Sequence, residues 1–205
     1  MNASSPTKLA ITLAIFATVS ALLLAVGNDK TQPEIEQRLA EDLKAILSQV
    51  VPSSLHDNDP VRDVLTINGP TDEPVTIYRT FNKGQVVAIA LPVTGQGYAG
   101  EINLVMGVSA TEDVLGVRVL SHAETPGLGD KIEAQKNDWI LEFAGLSFAT
   151  LAADQWKVKK DGGTFDQFSG ATITPRAVVK AVKQGLDFVI ANHAILFAGE
   201  PRHDQ

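Results

Sequence analysis

Eighteen consecutive residues without a charge, LAITLAIFATVSALLLAV from Leu9 to Val26, constrain this chain more than any other stretch. At about 1.5 Å per residue such a helix extends roughly 27 Å, close to the ~30 Å hydrocarbon core of a bilayer. Lys8 precedes the run and, by the positive-inside rule, keeps the N-terminus cytoplasmic; Lys30 on the far side is a counterweight. Two fates fit the run: an uncleaved anchor, or a signal peptide cut near Ala25-Val26-Gly27. The run is longer than the usual apolar region of about 7–15 residues in a signal peptide, which favours the anchor. The expected layout is a cytoplasmic N-terminus over 1–8, a single inner-membrane span over 9–27 and a periplasmic domain over 28–205.

The exported part is the right size for one globular domain with a sizeable core. All 24 acidic residues lie beyond Gly27, as do all the basic residues except Lys8. An acidic domain without a basic run offers no footprint for nucleic acid and little attraction to anionic lipid. The chain has no cysteine, which excludes disulfides, thiolate-held iron–sulfur clusters and c-type haem attachment. His56, His122, His193 and His203 show no metal-ligand spacing. Any electron carrier here is therefore expected to be organic.

Past the run, apolar residues from Ile35 to Val50 recur at helical spacing, predicting an amphipathic helix over 31–51 with Pro33 near its start. The composition of 52–60 predicts a loop. Four β-branched runs, 75–81, 85–91, 101–109 and 114–121, are joined by short turns and predict antiparallel strands. Ile132, Trp139, Ile140 and Phe143 suggest a helix over 129–144, and a short strand is expected around Trp156–Lys159. Thr174-Pro175 reads as an N-cap hydroxyl followed by proline at the first helical position, opening a helix to about Phe197. The polar tail 200–205 is expected to fray. The fold class is α+β, an antiparallel sheet packed with helices and preceded by one transmembrane helix.

Four segments carry more glycine, hydroxyl or charge than their turns require. GQGYAG at 95–100 is either a wide hairpin loop or a place where a ligand approaches backbone. HAETPGLGD at 122–130, flanked by the titratable His122 and Glu124, is either a plain strand-to-helix connection or a loop that carries chemistry. KVKKDGG at 157–163 reads as a solvated strand end. DQFSGATIT at 166–174 places three alcohols just before a helix. Such a turn can cap the helix, or it can present an oxygen where the amides and dipole of the helix N-terminus favour a phosphate.

The stretch D-x-x-S-G-A-T from Asp166 to Thr172 resembles the covalent flavinylation motif of the FMN-binding domain family. Together with HAETPGLGDKI at 122–132 and GYAGEI at 97–102, it resembles the G subunits of the Rnf electron-transport complexes across the anchor and the exported domain. The resemblance implies that the Thr172 hydroxyl is joined to the phosphate of FMN by a phosphoester. It implies an exported flavin transferase that draws on FAD with magnesium and releases AMP. Asp166 then occupies the acidic position tied to transferase recognition, Ser169 lies within the motif, and Gly170 and Ala171 leave room for the transferase. The loops holding Gly97, Tyr98 and Gly100, and Glu124, Thr125, Pro126, Gly127, Leu128 and Gly129, match those that shape the flavin pocket. No metal site is implied.

The implied function is a redox subunit, not a stand-alone catalyst. It would relay electrons among the membrane subunits of an ion-translocating ferredoxin:NAD oxidoreductase. No base–nucleophile pair suggests hydrolysis or group transfer. The C subunits of the sodium-translocating NADH:quinone reductases share the threonine motif and the ETPGLG-like loop, but are usually longer than 205 residues. A pilin-like structural protein has a similar outline, yet pilins carry a glutamate early in the apolar run and Leu9–Val26 has none.

Overall fold

The computed structural model describes residues 6–69 and 73–199. The tail at 200–205, expected to fray, lies outside the described residues. The chain divides into two compact units, Met1–Leu43 and Lys44–Gln205.

The described residues of the first unit, 6–43, belong to one helix, α1 (Pro6–Val50), which replaces the separate span and amphipathic helix read from the sequence. It runs on through position 33, where the sequence suggested a helix start. Its Pro6–Gln32 portion is long and apolar enough to cross a membrane and buries none of its apolar window within the chain.

The second unit is built on a five-stranded antiparallel meander: β1 (Val64–Asn68), β2 (Pro74–Asn82), β3 (Gln85–Gln96), β4 (Glu101–Ser109) and β5 (Val114–Ser121), in that spatial order. The four expected strands are present. β3 runs five residues further than its apolar run, so Gly95 and Gln96 belong to the ladder opposite Ile102 and Glu101. β1 was not foreseen; it is a short edge strand, paired on one side only, with Val64 opposite Tyr78 and Asn68 opposite Pro74.

Helix α2 (Ile173–Ala191) lies across β3 and β4. Val178, Val182, Leu186 and Val189 recur at helical spacing and are fully buried with Ile89, Leu104 and Met106. Side chains alternate along β4, so Met106 faces α2 while Gly107 turns to the opposite face. There the last turn of α1 packs, with Leu47 and Val50 buried. A Cβ on Gly107 would lie 2.2 Å from the Val50 carbonyl oxygen, so only glycine admits that turn.

Three sequence expectations are corrected. Residues 129–144 form two 3-10 helices, Gly129–Ile132 and Asp138–Phe143, because the Asn137 side chain accepts from the Trp139 amide and starts a new turn there. The stretch at Trp156–Lys159 is no strand; Val158 makes a single bridge to Phe165. Helix α2 ends at Ala191, and a separate turn of helix, α3 (His193–Leu196), follows Asn192.

Candidate functional site

Three glycine-bearing turns meet at the start of α2. The first closes the β3–β4 hairpin over 97–100, with the Gly97 amide donating to the Gly100 carbonyl at 2.8 Å. The second follows β5: the Leu128 amide donates to Thr125 O at 3.1 Å, with Pro126 and Gly127 between them. Gly127 has φ +78°, the value a type II turn demands after proline. The third closes at Ala171, whose amide donates to Phe168 O at 3.1 Å, with Gly170 at φ +79°. The second and third turns touch, since a Cβ on Gly170 would sit 3.7 Å from a Leu128 methyl.

Between these turns lies a cavity of about 360 Å³, lined by residues of all three and of the first turn of α2. Of the sequence candidates, Tyr98, Glu124, Thr125, Leu128, Gly129, Gly170, Ala171 and Thr172 line it. Gly97 stands behind the wall against Glu124. Gly100, Pro126, Gly127, Asp166 and Ser169 are not among the lining residues. Ile173 lines the mouth as well and was not singled out in the sequence; its place one residue beyond the motif, on the turn that opens α2, was the available signal.

The sequence reading of Thr174 as a helix cap is wrong. Helix α2 begins at Ile173, and Thr172 holds the N-cap position with no side-chain cap bond. Pro175 is third in the helix, where its missing amide is still one of the unpaired donors. The Thr174 hydroxyl is buried and donates instead to Glu124 Oε2. Thr172 Oγ1 forms no hydrogen bond among the described residues, and the residue is half-buried on the cavity wall.

Two ion pairs flank the motif. Asp166 pairs with Lys159 at 2.7 Å, and Arg176 forks onto Asp161 at 2.6 and 2.8 Å. That Arg176 contact holds the Asp161 carboxyl below the ordinary carboxylate range. Partial desolvation, and then the neighbouring Asp166, pushes the carboxyl of the solvent-exposed Glu142 up. Trp139 Nε1 donates to the Asp166 carbonyl at 2.9 Å, and its ring meets Phe168 edge-on at 5.2 Å. The turn that carries Thr172 is thus braced on the aromatic core.

Residues 97–187 match the FMN-binding domain family, and residues 1–50 match the RnfG N-terminal region. Over 198 residues the chain is 50% identical to the G subunit of the ion-translocating oxidoreductase complex of Cereibacter sphaeroides, spanning 97% of this chain and 90% of that one. The chain belongs to the RnfG family. The Shewanella amazonensis member is 45% identical over 195 residues, covering 93% of this chain and 91% of its own. The fold is also that of the C subunit of the Na⁺-translocating NADH-quinone reductase from Parabacteroides distasonis. That structure superposes with a TM-score of 0.52 at 19% identity, over 78% of this chain and 94% of its own. All three turns of the cavity fall within the FMN-binding match of this RnfG-family chain.

The residues fit a flavin nucleotide. The cavity lies in the size range of small-ligand sites, about 300–1,000 Å³. Tyr98, Leu128 and Ile173 leave apolar surface exposed at its edge, while Thr172 supplies an unengaged hydroxyl beside the start of a helix.

Proposed function

We propose that this RnfG-family chain is a membrane-anchored flavoprotein that carries FMN as a phosphoester on Thr172 and relays electrons within an ion-translocating ferredoxin:NAD oxidoreductase complex. The observation that carries the reading is the Thr172 hydroxyl: free of hydrogen bonds among the described residues, on the wall of a cavity inside the FMN-binding match. Neither neighbouring alcohol is so placed, since Thr174 is committed to Glu124 and Ser169 lies outside the cavity.

On attachment, Thr172 Oγ1 gives up its proton and becomes the bridging oxygen to the flavin phosphate. A separate exported transferase supplies that group from FAD, and AMP leaves. The amides at the start of α2 and the helix dipole favour the resulting anion. Tyr98, Leu128 and Ile173 border the space for the ring and limit its contact with water. Bound FMN supplies the one- and two-electron redox chemistry, while the chain supplies position and surroundings. A covalent link also removes dissociation in a compartment without a cytosolic flavin pool.

The anchor reading rests on the exposed apolar portion of α1, with Lys8 setting a cytoplasmic N-terminus and the domain periplasmic. Partners are then the other membrane subunits of the complex and, during maturation, the transferase. The experiment is co-expression with the transferase, followed by ultraviolet illumination of a denaturing gel. The wild-type band fluoresces, Thr172→Ser keeps a fluorescent band because the oxygen remains, and Thr172→Val is dark. A bright Thr172→Val band would place the flavin elsewhere.

A further inference from the structure

One carboxylate joins the walls of the cavity. Glu124 is 5% exposed, and its two oxygens are used on opposite sides. Oε1 accepts from the Ala99 amide at 3.0 Å, in the β3–β4 turn, and Oε2 accepts from the Thr174 hydroxyl, in the first turn of α2. The Glu124 amide donates to His122 Nδ1 at 3.0 Å, and His122 Nε2 meets Glu133 Oε1 at 2.8 Å. With Nδ1 accepting, the imidazole proton belongs on Nε2, which then donates to Glu133. There is no slack around the carboxylate: a Cβ would lie 2.4 Å from Oε1 if placed on Gly97, and 2.9 Å from Oε2 on Gly129.

This arrangement links sites far apart in sequence. Thr174 stands two residues beyond Thr172, so the bond to Glu124 fixes the rotation of the turn that presents the Thr172 hydroxyl. Ala99 follows Tyr98, so the same carboxylate fixes the opposite edge. A buried carboxylate is costly unless donors compensate it, and both donors here come from cavity walls.

We infer that Glu124 is a positioning residue for flavin attachment: it clips the β3–β4 turn to the first turn of α2 and so presents the Thr172 hydroxyl at the cavity wall. The inference rests on the reading of Thr172 as the acceptor. Glutamine at 124 can partly replace the clip, its oxygen accepting from Ala99 and its amide donating to Thr174 Oγ1. Alanine leaves both donors unpaired.

The test uses purified full-length chains in detergent with transferase, FAD and magnesium, and follows in-gel fluorescence against time. At saturating chain, Glu124→Ala is expected to label about tenfold slower or worse, through turnover and not through the apparent affinity for the transferase. Glu124→Gln recovers to within about threefold of wild type. Thr174→Val slows labelling like Glu124→Ala, and the double variant is no slower than the slower single. Flavin that does attach to Glu124→Ala shows lower fluorescence anisotropy than on wild type, because the walls beside the ring are no longer tied. Wild-type rate and anisotropy in Glu124→Ala, with Thr172→Val dark, overturns the role of Glu124 while leaving the acceptor intact; equal labelling of wild type and Thr172→Val overturns the acceptor itself. If Glu124→Ala does not fold, Thr174→Val decides. A slow rate with an unchanged melting midpoint supports the clip, and a wild-type rate overturns it.

Discussion

The first half of α1 and the whole of α2 are both helices rich in aliphatic residues, yet they use them in opposite ways. In α2 the aliphatic residues form a stripe, with Val182 and Leu186 fully buried and Lys180, Lys183 and Asp187 on the other side. In the Pro6–Gln32 portion of α1 they surround the axis and stay exposed, Phe16 at 68% and Leu24 at 75%. A stripe needs a protein surface to cover it, whereas an apolar cylinder suits a solvent that is itself apolar. Apolar content alone does not separate the two; its angular distribution does.

A carboxylate placed in each helix has the largest and most divergent effects. Val182→Asp buries an unpaired charge against the sheet and is expected to cost more than about 4 kcal/mol, with the cooperative melt lost by circular dichroism. Leu22→Asp leaves that melt unchanged. It weakens membrane insertion by about 3 kcal/mol, seen as release of the chain on carbonate washing. Release of the wild type itself on carbonate washing would mean that the run does not act as a span.

Truncations give a smaller contrast. Leu186→Ala should destabilise the domain by about 2–5 kcal/mol in urea unfolding, whereas Leu23→Ala should not move the midpoint. At the last turn of α1, which is buried like α2, Gly107→Ala is expected to cost about 1–3 kcal/mol, because the new methyl must displace the Val50 carbonyl. Gly116→Ala, 3.2 Å from the Val50 Cα, should cost less.

The smallest effect lies on the surface beside the cavity. Lys136, then His122, holds the Glu133 carboxyl below its ordinary range. A carboxyl depressed in the folded state stabilises above its unfolded pKa and loses that contribution as pH falls through the folded value. The contribution is therefore whole above about pH 5 and fades below about pH 4. The melting midpoint should drop more between pH 6 and pH 3 in the wild type than in Lys136→Met; equal drops would mean that the pair contributes nothing.

Much of the fold was legible because its signals are local. Four strands were found from β-branched alternation, and the side chains expected to be apolar points at 132, 139, 140 and 143 are all buried. Their backbone period was not legible: the Asn137 side chain takes the Trp139 amide, and one hydrogen bond divides what spacing read as one helix. β1 was missed because an edge strand of five residues, mostly half-exposed, carries little pattern. At the site, the glycine and proline turns could be read one at a time. Their convergence could not, since the Thr174–Glu124 bond spans 50 positions and no local rule competes with the cap that Thr174-Pro175 suggests.

The hydroxyl at the N-cap of α2 takes no part in holding the helix, and the turn before it is secured by its own backbone and by Trp139. Under the proposed attachment at Thr172, nothing in the native architecture would be given up when that oxygen is esterified. The domain could then complete its folding first and meet the proposed transferase as a finished surface. Maturation would be the last step of assembly, and unflavinylated chains could wait in native form until the enzyme reached them.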